Sequence, residues 1–391
     1  MNRIEKLLQK FCPDGVEFKA LGEVWIKAEK SKFGVNQIKQ ILATQENGYK
    51  CFTSGIKSYF VSQFLVNGEY IFMNDGGFAD IKYYDGKAFY TDHTFCFTTT
   101  QINVKFLYYF LKMNQNLINS IYFQGTGLKN LNKNKIATFK IPIPPLEIQK
   151  EIVLILDAFT ELQAELQAEL QARQKQYEHY RERLLSFDEL VSRSGGGGFV
   201  KMMSLGEVAF YPKDRILADF LHAQNYVGVE NLLPNKQGKI NSSSVPKSGN
   251  SIHYKQGDCL IGNIRPYLKK IWLADNNGGT NGDVLLIRTK NEFVDKIQNK
   301  FLYYVLASDS FFAYHDSNAR GAKMPRGDKS AVLKFQIPIP PLKVQNEVVE
   351  ILDKFDALVN DISQGLPAEM ALRKKQYEHY REKLLSFKEK A

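Results

Sequence analysis

The stretch of sequence that organises this chain occurs twice. Residues 141–159 read IPIPPLEIQKEIVLILDAF, and residues 337–355 read IPIPPLKVQNEVVEILDKF. A second matching pair follows, RQKQYEHYRERLLSF at 173–187 and RKKQYEHYREKLLSF at 373–387. The members of the first pair are 196 residues apart and those of the second pair are 200 apart. The chain of 391 residues therefore contains two copies of one unit, in which a globular part precedes a helical part.

The two copies differ mainly in their globular parts. The helical parts are nearly identical, whereas residues 25–100 and 209–295 have little sequence in common. One scaffold thus carries two different surfaces, which is typical of a protein that contacts two different targets with equivalent geometry. Free drift of the globular parts after a recent duplication would leave the same pattern, and this alternative stays open.

The helical parts have the composition of long helices. Each opens with Pro-Pro, and the first continues as ELQAELQAELQA at 161–172, made of strong helix formers. We expect one helix over about 146–187 and another over about 342–388, which Gly365–Leu366–Pro367 should kink or restart. An apolar stripe on one helix needs a partner, so we predict that the two helices pack antiparallel on each other. Packing of each helix on its own globular part alone is the alternative.

These patterns predict an α+β fold. Two mixed α/β globular domains are separated by two long antiparallel, coiled-coil helices, and the whole has a pseudo-twofold internal repeat. A flexible glycine run, Gly195 to Gly198, precedes the second copy. The predicted segments are a globular domain at 1–145, a spacer helix at 146–190, a second globular domain at 191–341 and a distal spacer helix at 342–391.

The charge of the chain is concentrated in the globular parts. The chain has 52 Lys and Arg against 42 Asp and Glu, a net charge of +10. Residues 146–190 have a net charge of −5 and residues 342–391 have a net charge of zero, so the remainder of the chain has a net charge of +15. Basic globular domains are typical of proteins that bind an anionic partner such as nucleic acid.

Three basic stretches are candidates for contact with DNA. Two of them, at 127–140 and 320–334, precede the long helices at equivalent places, and the third, at 264–270, adds a tyrosine. Lys and Arg in polar loops neutralise phosphates, and Arg also binds guanine with two hydrogen bonds. A single basic run is often only a solvated surface, but the equivalent placement favours DNA binding. The candidate DNA-binding residues are Lys129, Lys133, Lys135, Arg265, Tyr267, Lys269, Lys270, Arg320, Lys323 and Arg326.

The sequence lacks the motifs of common catalytic sites. It contains no GxxxxGK[ST] phosphate-binding loop, no Asn-Pro-Pro-aromatic tetrapeptide and no metal-ligand spacing among its six histidines. We therefore expect no catalytic residue, no metal site and no cofactor in this chain. The Asn74–Gly77 segment is predicted to be a turn, with close approach of its backbone to DNA as the alternative. The four scattered cysteines and the absence of a long apolar run favour a cytoplasmic protein that does not bind membranes.

Taken together, these motifs resemble the specificity subunit of type I restriction–modification systems. The residues that carry the resemblance are GTGLKNLNKNKI followed by IPIPPLEIQ at 125–149, IPIPPLKVQ at 337–345, the ELQA tetrads and both QYEHYRE blocks. The resemblance implies two target-recognition domains that each read one half of a split DNA site. It further implies that the helices set the gap between the halves through the number of tetrads, and that residues 1–24 meet the C-terminal end.

The resemblance also implies partners and a division of labour. The chain would be non-catalytic. Modification subunits, two of them, would transfer methyl groups from S-adenosylmethionine to adenine, and restriction subunits would use ATP and magnesium. The helix surfaces at 178–183 and 378–383 would dock the modification subunits. Two alternatives stay open: a coiled-coil adaptor that binds only proteins, which leaves the +15 unexplained, and a stand-alone nuclease or methyltransferase, which lacks its motifs.

Overall fold

A computed structural model describes most of the chain. The described residues are 3–38, 40–42, 48–55, 59–195, 199–361 and 363–390, so the predicted glycine link lies outside them except for Gly195. The chain divides into an N-terminal unit of residues 1–165 and 371–391 and a C-terminal unit of residues 166–370. Because this division cuts through both helical parts, the bounds of the four predicted segments stay a prediction.

The N-terminal unit contains a mixed sheet and two short ribbons. Its strands are β1 (Glu17–Ala20), β2 (Ile26–Lys27), β3 (Tyr49–Phe52), β4 (Tyr59–Val61), β5 (Val66–Asn74), β6 (Ile81–Tyr90), β7 (Thr94–Thr98), β8 (Phe123–Gln124), β9 (Asn130–Leu131) and β10 (Lys140–Ile143). Its first helices are α1 (Arg3–Phe11), α2 (Leu21–Val24), α3 (Val35–Ile38), α4 (Val104–Met113), α5 (Gln115–Tyr122) and α6 (Lys133–Ile136). The six-stranded sheet has the order β2-β7-β5-β6-β3-β4, and β3 and β6 form its one parallel pair within the described residues.

Helix α7 (Leu146–Leu184) starts in the N-terminal unit and ends in the C-terminal unit. It is followed by α8 (Phe187–Arg193), α9 (Leu205–Val208), α10 (Asn299–Leu306), α11 (Asp309–Ser317), α12 (Lys329–Val332), α13 (Leu342–Asn360) and α14 (Leu366–Leu385). The strands of the C-terminal unit are β11 (Lys201–Ser204), β12 (Ala209–Phe210), β13 (Arg215–Leu217), β14 (Tyr226–Val227), β15 (Asn250–Tyr254), β16 (Cys259–Gly262), β17 (Ile271–Leu273), β18 (Gly278–Thr280), β19 (Val284–Thr289) and β20 (Gln336–Ile339). They form two four-stranded sheets, β12-β19-β16-β17 and β13-β15-β18-β14, and one ribbon, β11-β20.

Central strands are apolar on both faces because both faces are covered. In β5, Ile71 and Met73 pack in one core with α4, while Phe72 packs on the other face and stacks on Phe52 with ring centroids 4.1 Å apart. In β19, Leu285 and Ile287 likewise point to a different core from Val284 and Leu286. A strand buried on both faces reads as a continuous apolar run instead of an alternating one.

The internal repeat is visible in the backbone. The β1–β10 ribbon pairs Glu17 with Ile143, and the β11–β20 ribbon pairs Lys201 with Ile339 at the equivalent register. Each ribbon leads into a helical turn of sequence LGEV. In the first copy the Gly22 amide donates to the carbonyl oxygen of Ala137 at 2.8 Å. The second copy repeats this hydrogen bond 2.7 Å long, from Gly206 to Leu333.

The N-terminal segment meets the C-terminal end, as the resemblance implied. The Val16 amide donates to the carbonyl oxygen of Lys388 at 2.8 Å, and the Lys390 amide donates to the carbonyl oxygen of Val16 at 2.9 Å. The N-terminal unit is therefore completed by residues from the far end of the chain.

Helix α7 packs antiparallel on the distal helices within each unit. In the N-terminal unit, Phe159 stacks on Tyr380 with ring centroids 5.5 Å apart, while Ile148 shares the core with Leu384. In the C-terminal unit, Phe355 stacks on Tyr180 at the same separation of 5.5 Å. These residues are repeat equivalents, so each copy supplies a phenylalanine to the tyrosine of the other copy. The predicted antiparallel packing of the helices is confirmed within each unit.

The predicted break in the distal helix is also confirmed. Helix α13 ends at Asn360 and α14 begins at Leu366. Proline lacks the amide that a helix interior requires and is tolerated in the first turn, which is where Pro367 lies. No helix within the described part of the chain is long and apolar enough to cross a membrane.

The close approach at Gly22 gives a stability prediction. A Cβ at this position would lie 2.9 Å from the Cβ of Ala137 and 3.1 Å from its carbonyl oxygen. Gly22→Ala should therefore lower the free energy of unfolding by about 1–3 kcal/mol, measured by urea denaturation. The matched control is Gly127→Ala, because a Cβ there meets nothing within 4 Å. Equal losses in both variants would contradict this explanation of the LGEV turn.

Candidate nucleic-acid interface

Two separate segments of the N-terminal unit form one surface element, which we name the N-terminal loop pair. It consists of the turn at 75–78 after β5 and the β8–β9 hairpin at 123–131. Two backbone hydrogen bonds join the segments, from Gly77 to the oxygen of Lys129 at 2.7 Å and from Leu131 to the oxygen of Asp75 at 3.0 Å. The predicted turn is thus present, and its backbone is tied to the first basic stretch.

The C-terminal unit contains an equivalent element, the C-terminal loop pair. It consists of residues 263–266 after β16 and the loop at 319–327. Two backbone hydrogen bonds join its segments, from Arg265 to the oxygen of Pro325 at 2.8 Å and from Gly327 to the oxygen of Asn263 at 3.0 Å. The second and third basic stretches, which the sequence presents as separate, therefore form one surface.

The two loop pairs match bond for bond. Each backbone hydrogen bond that joins the segments of the N-terminal loop pair has a counterpart in the C-terminal loop pair. The counterpart is found by adding 196 to the residue number in the hairpin and 188 to the residue number in the turn. The turn position has a left-handed backbone in both copies, with φ of +84° at Gly77 and +55° at Arg265. Glycine adopts this conformation freely, whereas a side chain makes it strained. Arg265 therefore occupies a position where glycine would be the less costly residue.

The start of the helix after each hairpin is fixed by the same device. The side chain of Asn132 accepts a hydrogen bond from the Lys135 amide at 3.0 Å, and the side chain of Asp328 accepts one from the Ser330 amide at 2.8 Å. Such caps satisfy amides that a helix start leaves without partners. Each hairpin is thus held between a capped helix and a sheet turn.

Four of the predicted DNA-binding residues come together on the C-terminal loop pair. The backbones of Arg320 and Arg326 exchange hydrogen bonds of 2.8 and 2.9 Å, and Lys323 lies in the loop between them. Arg326 also pairs with Ile264, next to Arg265. The Arg320 side chain is 87% exposed. Nearby acids balance this charge in part, since Arg326 contacts Asp283 at 2.8 Å.

The remaining residues near the C-terminal loop pair differ in their surroundings. Tyr267 is exposed on the segment that follows Arg265. The Lys270 amine donates to the carbonyl oxygen of Val229 at 2.7 Å, and burial lowers its pKa. Lys269 contacts Asp309 at 2.7 Å. Two of these three predicted residues thus already have a partner within the unit.

Asp309 holds two lysines at the base of this region. Lys236 and Lys269 each contact its Oδ1 at 2.7 Å. Burial acts to raise the pKa of Asp309, but the hydrogen bonds and charges of the two lysines outweigh burial and lower it to about 2. The carboxylate therefore stays ionised and fixes the Lys269 side chain.

The N-terminal loop pair presents fewer cations. Lys129 is exposed on the hairpin and Lys135 is exposed on α6. Lys133 forms an ion pair of 2.7 Å with Asp75 and also lies over the Phe95 ring. Of the three predicted lysines, Lys129 and Lys135 are exposed, whereas Lys133 stabilises the loop pair through its ion pair with Asp75.

Two exposed apolar residues at the hairpin tips were not predicted from the sequence. Leu128 is 72% exposed and Met324 is 54% exposed, and they are equivalent by the 196-residue shift. In the sequence, GTGLKNL at 125–131 aligns with GAKMPRG at 321–327 and places both residues at one position, but neither residue carries a charge that would mark it. Among the described residues, no cluster of His, Cys, Asp and Glu is arranged to hold a metal ion.

Two copies of one α/β unit with matching loop pairs and different side chains define a protein with two recognition domains of the same fold. The chain belongs to the family described as the type I restriction modification DNA specificity domain, whose model matches residues 13–173 and 200–371. Its role is therefore DNA sequence specificity, and the family resemblance inferred from the sequence is confirmed. The specificity subunits of this family are in general non-catalytic.

Individual relatives agree with this assignment. A Haemophilus influenzae protein named as a type I restriction enzyme specificity subunit is 32% identical over 98% of both chains. The specificity subunit of the Escherichia coli type I restriction enzyme EcoR124I/EcoR124II is 33% identical over 73% of this chain and 71% of its own length. The fold matches the crystal structure of an S subunit of a type I system from M. genitalium, with a TM-score of 0.58, 16% identity and coverage of 95% and 96%.

A buried histidine beneath the C-terminal loop pair gives a pH prediction. His315 is fully buried below Gly327, where a Cβ would overlap its ring. Burial lowers the pKa of His315 from 6.5 to about 4. The unfolded chain therefore binds more protons between these values, and stability should fall by about 3 kcal/mol as the pH drops from 6.5 to 4.

The measurement is the difference between two stability curves. The free energy of unfolding of the wild type and of His315→Phe is measured in urea from pH 7 to pH 4. Both proteins contain the same carboxylates, so their contribution cancels when one curve is subtracted from the other. The variant should lose less stability than the wild type over this range. Parallel curves would show that His315 titrates normally in the folded protein.

Proposed function

We propose that each recognition domain reads one half of a bipartite DNA target through its loop pair. The observation that carries this proposal is the bond-for-bond match of two loop pairs whose side chains differ. Identical backbone support gives both domains the same approach to a duplex, and different side chains give each a different base preference. The alternative of an adaptor that binds only proteins gains no support from the comparisons.

In this proposal the exposed cations of the loop pairs contact the duplex directly. Arg265, Arg320 and Lys323 would do so in the C-terminal domain, and Lys129, together with Lys135 on the adjacent helix α6, in the N-terminal domain. The cations that already have partners would contact phosphates only after exchanging them, because each amine or guanidinium is held by its own acceptor. These are Lys133, Lys269, Lys270 and Arg326. Tyr267, half of whose surface is exposed, would stack on a sugar or base.

We further propose that the paired helices set the gap between the two half-sites. The tetrad leucines of α7 are half-buried, on the stripe that continues from Ile148 to Leu156. A change of four residues lengthens a helix by about 6 Å and rotates it by only about 40°. The apolar stripe therefore keeps its direction while the spacing changes.

Catalysis in this proposal belongs to partner subunits. Two modification subunits would carry S-adenosylmethionine and methylate adenine, and restriction subunits would carry ATP and magnesium. The docking surfaces would be 178–183 and 378–383, where equivalent side chains such as Glu178 and Glu378 are exposed. A complex that methylates and cleaves cellular DNA would act in the cytoplasm.

Methylome mapping tests the bipartite reading and the spacer together. Cells that express the complete system should show adenine methylation at one split motif. In cells with a deletion of residues 163–166, one tetrad, the same two half-sites should appear with a shorter gap. An unsplit motif in the wild type would overturn the proposal, and altered bases at an unchanged gap in the deletion variant would overturn the role of the helices.

The Arg265→Gly variant distinguishes the effect of this residue on DNA recognition from its effect on stability. Removing the side chain relieves a strained left-handed residue, so stability should rise by up to about 1 kcal/mol in urea unfolding. Affinity for the target duplex should fall about tenfold, with preference lost in one half-site only. The control is Lys374→Gln on α14, which should change neither quantity. Unchanged target affinity in Arg265→Gly would remove this residue from the interface.

A further inference from the structure

The tips of the two hairpins carry large apolar side chains in open solvent. Leu128 is 72% exposed and has the highest exposed fraction among the large apolar residues that the structure describes. Met324, its repeat equivalent, is 54% exposed. A single exposed apolar residue needs no explanation, but two at the same position of a repeated loop are a shared feature.

The backbone beneath both side chains is held in the same way. In each copy the residue after the tip provides the carbonyl oxygen that accepts the turn amide, Lys129 from Gly77 and Pro325 from Arg265. Each hairpin also bends at a glycine with positive φ, +143° at Gly125 and +102° at Gly321. The tips are therefore braced projections whose backbone loses little entropy when the apolar side chains are bound.

The surroundings of the tips indicate which partner they contact. Lys129 follows Leu128, and Lys323 and Arg326 flank Met324. Apolar residues with cations beside them match a DNA duplex, because the phosphates pair with the cations and the base steps offer apolar surface. A partner that buries only apolar surface would leave Lys129 and Lys323 without counter-charges, whereas Arg326 has Asp283.

The repeat also indicates that the contact is independent of the base sequence. Residues 25–100 and 209–295, which hold most of each domain, have little sequence in common. The tip has kept its position, its bracing and its apolar character. A side chain that distinguished bases would be expected to differ between domains that read different half-sites.

We propose that Leu128 and Met324 are wedge residues that enter a groove of the duplex and press against a base step in each half-site, bending the DNA. This inference rests on the proposed function, since it assumes that both loop pairs approach DNA. It adds a contact that is apolar, is equivalent in the two domains and is independent of the cations. Apolar side chains that enter a base step in this way unstack it partially and bend the duplex.

The test uses the complex with modification subunits and a fluorescently end-labelled duplex that carries the split motif found by methylome mapping. Leu128→Asn and Met324→Asn should each weaken binding about tenfold and reduce the bend measured by energy transfer between the duplex ends. The slope of log affinity against log salt concentration should stay unchanged, because no phosphate contact is lost. Lys129→Gln should instead reduce that slope.

The conservative exchanges Leu128→Met and Met324→Leu are matched controls, because they keep an apolar side chain of similar volume. They should bind and bend DNA as the wild type does. Both tips are solvent-exposed, so urea unfolding should be the same in all four variants. Wild-type affinity and bend in the Asn variants would overturn the wedge while leaving the bipartite reading intact.

Two further outcomes separate the sources of failure. If the Asn variants no longer assemble with modification subunits, the tips bind protein and the wedge inference is wrong. If the wild-type complex binds the split motif no better than a scrambled duplex, the proposed function fails, and the wedge inference fails with it.

Discussion

The contact between the helices of the two copies is the constraint on which the rest of the structure depends. Phe159 packs on a tyrosine of the second copy and Phe355 on the equivalent tyrosine of the first, both at 5.5 Å between ring centroids. Such aromatic pairs stabilise the contact by more than the burial of their apolar area alone. Since both contacts use equivalent residues, the apolar stripe of each helix is covered by the other copy, and long helices that would be unstable alone become ordered parts of both units.

The sequence was sufficient to predict the elements that repeat. The two helices, the break before Pro367 and the antiparallel pairing follow from proline placement, helical periodicity and the need to cover an apolar stripe. The sheets were beyond reach for a physical reason. Residues 25–100 and 209–295 contain strands buried on both faces, whose apolar runs have no alternating period, and the two copies cannot be aligned to support each other.

The interface was predicted in parts and assembled only by the structure. Charge identified Arg265 and Arg326 on separate stretches, but their proximity depends on a backbone pairing between residues about 60 positions apart, which no local pattern encodes. The ion pairs of Lys133 and Lys269 could not be predicted from the sequence either, since their acidic partners lie in distant segments of the chain. A count of basic residues therefore overestimates the charge that is free to contact phosphates. The apolar hairpin tips carry no charge, so a charge pattern gives no indication of them.

The discontinuous N-terminal unit has a consequence for biosynthesis. Its core contains Leu384 and Leu385, and the backbone of Val16 forms hydrogen bonds with Lys388 and Lys390, so it lacks part of its interior until these residues have been synthesised. The C-terminal unit, residues 166–370, is continuous and leaves the ribosome as one piece. The N-terminal unit thus begins before the C-terminal unit and is completed after it, and the nascent chain must keep an unfinished apolar surface from aggregating in the meantime.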